Sequence, residues 1–220
     1  MYKFKKFGAV VAAGAFAAVL ALAGCSGNGG TSAGSADAGS AAKSDSVQLV
    51  TEGKLTVGTS AEYEPFEYME DGDYKGFDLE LIQKIAEKLD LEVEYKNVDF
   101  DSLVAGVASG TKYDCSIAAI TATPDRKKEV DFSDSYYMDD QAIVTLKDNT
   151  AITGDNYADE LNKEGVKIAV QSGSTAESFA KENFPNAELV PFKNATDCFS
   201  ALQASKADAL VTNRSVASQL

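Results

Sequence analysis

The chain has 220 residues, 45% of them hydrophobic and 25% charged, which places it among ordinary globular proteins of one or two domains. It contains no His, so the commonest general base and metal ligand is missing, which disfavours most hydrolase and metal-site chemistries. Its net charge of −14 describes a solvated acidic surface and argues against a nucleic-acid partner.

The chain starts with a basic stretch holding Lys3, Lys5 and Lys6, followed by an apolar run from Ala9 to Leu22. That run is too short to span a bilayer comfortably but suits a signal-peptide core over residues 1–24. It closes on Leu22–Cys25, which resembles a bacterial lipobox. The resemblance implies cleavage before Cys25, lipid on its sulfur, and export across the cytoplasmic membrane. The competing reading is a weak membrane anchor with Cys25 as an incidental thiol. Residues 25–52 follow, rich in Gly, Ser and Ala at first, and read as a flexible tether. Cys115 and Cys198 lie in apolar-patterned segments and are expected to be buried free thiols in different lobes.

From Lys54 onward strand and helix signals alternate. "LTVGTS" reads as a strand. In "FDLELIQKIAEKL" the spacing of Phe77, Leu81, Ile82, Ile85 and Leu89 predicts a helix with one buried face. "LEVEYKN" alternates as a half-buried strand, "DSLVAGVASG" is a short helix ending at Gly110, and "DCSIAAI" is an apolar strand. A second set follows: strand "QAIVTLK", helix "YADELNKEG", strand "VKIAV", helix "TAESFAKENF", strand "AELVPF", helix "DCFSALQASK" and strand "DALVTN". Such alternation implies mostly parallel sheets covered by helices. The two sets also echo one another, each running strand, Lys-Asn, helix, Lys-x-Asp, apolar strand. Two α/β lobes with a cleft between them are expected.

The polar residues at the strand ends carry the chemistry. Thr121 and Thr123 follow the strand ending at Ile120, and Pro124 suits the first turn of a helix that would bear Arg126. A guanidinium beside hydroxyls and free N–H groups is a clamp for a carboxylate. Equally, Arg126 reads as a solvated surface charge and Thr123 as a plain cap. In "VQSGST", Gly173 is a turn, and Ser174 and Thr175 open a helix whose N-terminus favours an anion; an ordinary Ser cap is the commoner use. In "SAEYEPFEY", Phe66 is expected in the core and Tyr63 in the cleft.

"YEPFEY", "GFDLELIQKIAEKL", "ITATPDRKKEVDFSDSYY", "VQSGST" and "DALVTN" together resemble, in order and spacing, the polar amino-acid solute-binding proteins of ABC transporters (family 3). The resemblance covers roughly residues 53–214. It implies a two-lobed, hinged α/β fold of the type II periplasmic-binding-protein class, with lobe one over residues 53–139 and lobe two over 140–220. It further implies a lipid-anchored, monomeric, extracytoplasmic protein that closes on one amino acid and delivers it to a membrane permease, without catalysis, cofactor or metal. Carried over by position, Tyr63 would stack on the ligand and Phe100 would form the opposite wall. The backbone of Ala119, with Thr121 and Arg126, would hold the α-carboxylate. Ser174 and Thr175 would meet the ligand from lobe two, with Gln171 near its side chain. The first hinge crossing would fall near residues 138–142.

Two departures qualify the resemblance. Asn213 stands where the family usually places an Asp for the ligand ammonium, a change worth about tenfold in affinity for a plain α-amino acid. Ser60 stands where members binding basic side chains often carry an acid. The pattern also implies a further α/β unit beyond Leu220, roughly 30 residues by the size of such units. Lobe two and the return crossing are therefore expected to be incomplete, as in a fragment, with apolar surface bared on lobe two. Two other readings stay open: a dehydratase-like cleft enzyme of the same fold using Glu62, Glu64 or Asp78, and a sensor domain of a larger receptor.

Overall fold

The structure is a computed structural model that describes residues 48–220. The signal segment, Cys25 and most of the tether lie outside the described residues.

In chain order the elements are β1 (Lys54–Thr59), β2 (Glu62–Tyr63), β3 (Glu67–Glu70), β4 (Asp73–Lys75), α1 (Phe77–Lys88), β5 (Glu92–Asn97), α2 (Leu103–Ala108) and β6 (Cys115–Ser116). They continue with β7 (Gln141–Val144), α3 (Tyr157–Leu161), β8 (Lys167–Gln171), α4 (Thr175–Asn183), β9 (Glu188–Phe192), α5 (Ala195–Gln203), β10 (Ala209–Asn213) and α6 (Arg214–Ala217). Lobe one is built on a parallel sheet in the order β5-β1-β6. Lobe two has the order β7-β10-β8-β9, parallel except for β7 against β10. In lobe two, Ile168, Val170, Ala209 and Val211 face α4 on one side, while Ala169 and Leu210 face α5 on the other. Such a sheet is buried on both faces, which is why its strands read as continuous apolar runs.

The echo between the halves has a physical basis. Asp114 accepts from the Thr56 N–H at 2.8 Å and returns its own N–H to the Thr56 carbonyl at 2.8 Å. Asp208 does the same with Lys167, again at 2.8 Å each way. Each Lys-x-Asp thus locks the start of a strand to its neighbour.

Four expectations change. The strand expected over "DCSIAAI" is confined to Cys115–Ser116, because Ala119 adopts a left-handed conformation (φ 47°) and gives its N–H to Asp78. The strand expected over "QAIVTLK" ends at Val144. The buried face of α1 is Asp78, Leu79, Ile82 and Ala86, whereas Phe77, Ile85 and Leu89 are exposed. A small antiparallel sheet, β2-β3-β4, occupies residues 62–75, where no strands were foreseen. Its signal was Asp71-Gly72, both at positive φ, the pair favoured by a two-residue hairpin turn. Exposed large apolar side chains occur on both lobes. Phe77, Ile85, Leu89, Tyr136, Tyr137 and Met138 lie on lobe one and the segment leaving it, and only Tyr157 and Leu220 belong to lobe two. Cys115 is partly buried and Cys198 fully buried, both free, and burial pushes their thiols up to about 11 and about 12.

One buried group weakens this fold. Glu67 is 1% exposed, and neither carboxyl oxygen has a partner. Burial, and then the neighbouring Asp78 charge, hold its carboxyl well above the usual range. The folded chain therefore binds this proton more tightly than the unfolded chain, and the associated stability is lost as pH rises from the unfolded pKa through the folded one. Replacing Glu67 with Met, of similar length and without the orphan oxygens, is expected to stabilise the protein at pH 7 by about 1–3 kcal/mol. It should also flatten this part of the pH dependence. Urea melts of the two chains between pH 4 and 8 check both statements.

Candidate functional site

The two lobes meet along a seam of polar contacts at their strand ends. From lobe one, the Tyr63 hydroxyl lies 2.9 Å from Thr212 Oγ1 and donates to Asn213 Oδ1 at 3.1 Å, while accepting from the Asn213 N–H at 3.2 Å. Burial pushes this phenol up to about 12, against the hydrogen bonds it makes. Thr196 Oγ1 donates to Glu62 at 2.9 Å, and Lys193 pairs with Asp99. Tyr63 thus reaches across to β10 of lobe two, while Phe66 is 3% exposed in the core, as expected.

Arg126 forms the centre of the seam. It opens a single 3-10 turn, Arg126–Lys128, and its N–H approaches Thr123 Oγ1 at 3.3 Å. Its guanidinium donates to the Thr121 carbonyl at 2.8 Å and, across the gap, to the Gly173 carbonyl at 2.8 Å. Phe100 lies beneath it, 5.5 Å from ring centroid to guanidinium carbon. Such a cation–aromatic contact adds about 0.5–2 kcal/mol, depending on desolvation. Burial pulls the guanidinium pKa down, and no carboxylate among the described residues offsets its charge by an ion pair. Two of its five N–H donors are used by carbonyls, so the remainder can still take a carboxylate.

On the facing side, Ser174 caps α4: its hydroxyl accepts from the Glu177 N–H at 3.1 Å and donates to the Gln171 carbonyl at 2.7 Å. Glu177 folds back to accept from the Gly173 N–H at 2.8 Å. This reciprocal cap was legible in the Ser-x-x-Glu spacing, and it engages donors that the sequence reading left open for an anion. Thr175 Oγ1 accepts from Gln141 Nε2 at 3.2 Å, and Gln171 is nearly buried, donating to the Lys193 carbonyl at 3.3 Å. Ala119 sits apart from these contacts, its N–H held by Asp78 at 2.6 Å. The structure therefore brings Tyr63 to Asn213 and draws Phe100, Thr121 and Arg126 to Gly173. Ser174, Thr175 and Gln171 stand on the opposite wall. Sequence reading missed Gly173, Glu62, Thr196 and Asp99 as cross-lobe partners, since pairing between lobes leaves no periodic signal.

Two cavities flank the seam. One of about 190 Å³ is lined by Glu62, Tyr63, Gln171, Ser174 and Thr196 with apolar residues of α5, β10 and α6. The other, of about 170 Å³, lies against Phe100, Asp101, Ile120, Arg126, Glu129 and Gly173.

Gly173 is fixed twice over. Its φ is 72°, and an added Cβ would come within 3.0 Å of the Asp101 Cβ in the other lobe. Gly165 has a similar φ of 85° with nothing near. Gly165→Ala is therefore expected to cost about 1–2 kcal/mol from backbone strain alone. Gly173→Ala should cost more and also reduce lobe closure. Denaturant melts and small-angle scattering of the two variants make the comparison.

The sequence model of bacterial extracellular solute-binding proteins, family 3, matches residues 55–183, more than half of the chain. A histidine-binding protein of Campylobacter jejuni, itself described as probable, is 36% identical over 163 residues, 74% of this chain and 61% of that protein. An arginine-binding extracellular protein of Bacillus subtilis is 42% identical over 132 residues, 60% of this chain and 49% of that protein. The chain thus spans about half to three-fifths of the length of these relatives. Among solved structures, an ancestral arginine-binding protein bound to arginine superposes with a TM-score of 0.71 at 39% identity, covering 76% of this chain and 73% of that one. With its two α/β lobes meeting at an arginine and a facing helix cap, the chain belongs to family 3 of the bacterial extracellular solute-binding proteins.

Proposed function

We propose that this protein is a lipid-anchored, extracytoplasmic, monomeric binding protein that captures an amino acid or close analogue by hinge closure and delivers it to an ABC permease. One observation carries the reading. Arg126 is a half-buried cation at the junction of the lobes, held by two carbonyls and a ring, with no carboxylate of the protein paired to it among the described residues. A guanidinium kept charged and under-compensated is a receptor for a small anion. Lobe one would run over residues 53–139 and lobe two over 140–220, with the ligand entering where Gly173 now meets Arg126. Tyr63, Phe100, Ala119, Thr121 and Arg126 would contact it from lobe one, and Gln171, Ser174, Thr175 and Asn213 from lobe two. The mechanism is a population shift: a ligand that touches both lobes only when they are closed stabilises the closed state.

Of the three candidate acids for a dehydratase-like reaction, Asp78 and Glu62 are already engaged, and Glu64 is exposed without a side-chain partner among the described residues. Asp78 is fully buried and holds a backbone N–H, and Glu62 accepts from Thr196. This supports binding without catalysis.

Isothermal titration against the twenty amino acids tests the reading, beginning with L-arginine, because an arginine-named relative and an arginine-bound structure stand among the similar proteins. Arg126→Ala is expected to abolish binding; undiminished affinity would move the carboxylate site elsewhere. Asn213→Asp is expected to tighten binding of an ordinary α-amino acid about tenfold, by supplying a charge to its ammonium. No gain would mean that the ammonium is not placed there.

A further inference from the structure

Asp78 is the second residue of α1 and is fully buried. Its Oδ2 accepts two hydrogen bonds, from the Ala119 N–H at 2.6 Å and from the Tyr136 hydroxyl at 2.9 Å. The two donors belong to parts of the chain that the sheets do not connect. Ala119 makes the left-handed turn by which the chain leaves β6. Tyr136 lies in the irregular segment between the Arg126 turn and β7, the stretch that passes from lobe one to lobe two. Two residues beyond Ala119, the Thr121 carbonyl accepts from Arg126, which reaches Gly173 in lobe two. A continuous chain of contacts therefore runs from the crossing segment through one carboxylate oxygen to the guanidinium.

We propose that Asp78 is a positioning residue for the candidate ligand corner and, through Tyr136, couples that corner to the crossing segment. The proposal rests on the amino-acid-binding reading above. A non-glycine residue in a left-handed turn persists where its surroundings over-determine it. A charge-assisted bond to a buried carboxylate is the strong restraint available to Ala119. The titratable groups facing Asp78 are Glu67 from β3 and Tyr136 from the crossing segment. Burial raises both carboxyls, Glu67 the more strongly, while the bonds from Ala119 and Tyr136 oppose the rise at Asp78 and favour its ionised form.

The test uses Asp78→Asn and Tyr136→Phe in the whole chain, with two readouts: hydrogen exchange of the Ala119 amide by NMR, and calorimetric affinity for L-arginine between pH 4 and 8. Asp78→Asn replaces a charged acceptor with a neutral one. It is expected to speed Ala119 exchange and to weaken L-arginine about tenfold at pH 7. The wild-type chain should lose affinity on acidification as Asp78 takes up a proton, and the Asn variant should lack that step. Tyr136→Phe removes a donor that favours the ionised form, so its acid step should move to higher pH. Unchanged Ala119 exchange in Asp78→Asn overturns the proposal, as does an affinity and pH profile equal to wild type. If the wild-type chain binds none of the twenty amino acids, the functional reading falls, while Ala119 exchange still judges the restraint separately.

Discussion

The seam between the lobes depends on a guanidinium placed where two strand-end corners converge. Arg126 donates to one carbonyl in each lobe and lies on Phe100, so that a single side chain spans the joint. Hydrogen bonds from a charged group contribute about 1.5–3 kcal/mol each when well made. That strength is enough to hold two bodies together, yet comparable to what a bidentate anion offers in exchange. The geometry suits a gate, since the contact that closes the seam is one a carboxylate can take over.

The tyrosine on the other side of the seam completes the balance. Tyr63 both donates to and accepts from Asn213, and its ring carries lobe one's apolar edge toward β10. An amide at position 213 matches a phenol kept neutral by burial. The residue that departs from the family pattern therefore has a partner inside the protein. What its carbonyl cannot do is neutralise a cation.

Much of this was readable in the sequence because local rules governed it. Ser174 at the start of α4, Arg126 after Thr-x-Thr-Pro, and the apolar runs of β8 and β10 follow from capping, turn chemistry and two-sided burial. The failures share another cause. On α1, Ile82 is buried as expected, but Asp78 turns inward to hold Ala119 and Leu79 is buried beside it, while Phe77, Ile85 and Leu89 are not. Hydrophobic spacing cannot anticipate a helix oriented by a buried charge. The same restraint ends the β6 ladder early. Contacts between lobes, such as Thr196 with Glu62, join residues far apart in the chain and obey no period.

The order of strands has a consequence for biosynthesis. In lobe one the three parallel strands β1, β5 and β6 all lie before residue 117. Lobe two differs: β10, near the end of the chain, inserts between β7 and β8. Until residues 209–213 leave the ribosome, β7 lacks its partner and β8 has an open edge, so these earlier strands wait exposed to mispairing. β10 is thus the strand that joins β7 to β8 and β9 in one sheet.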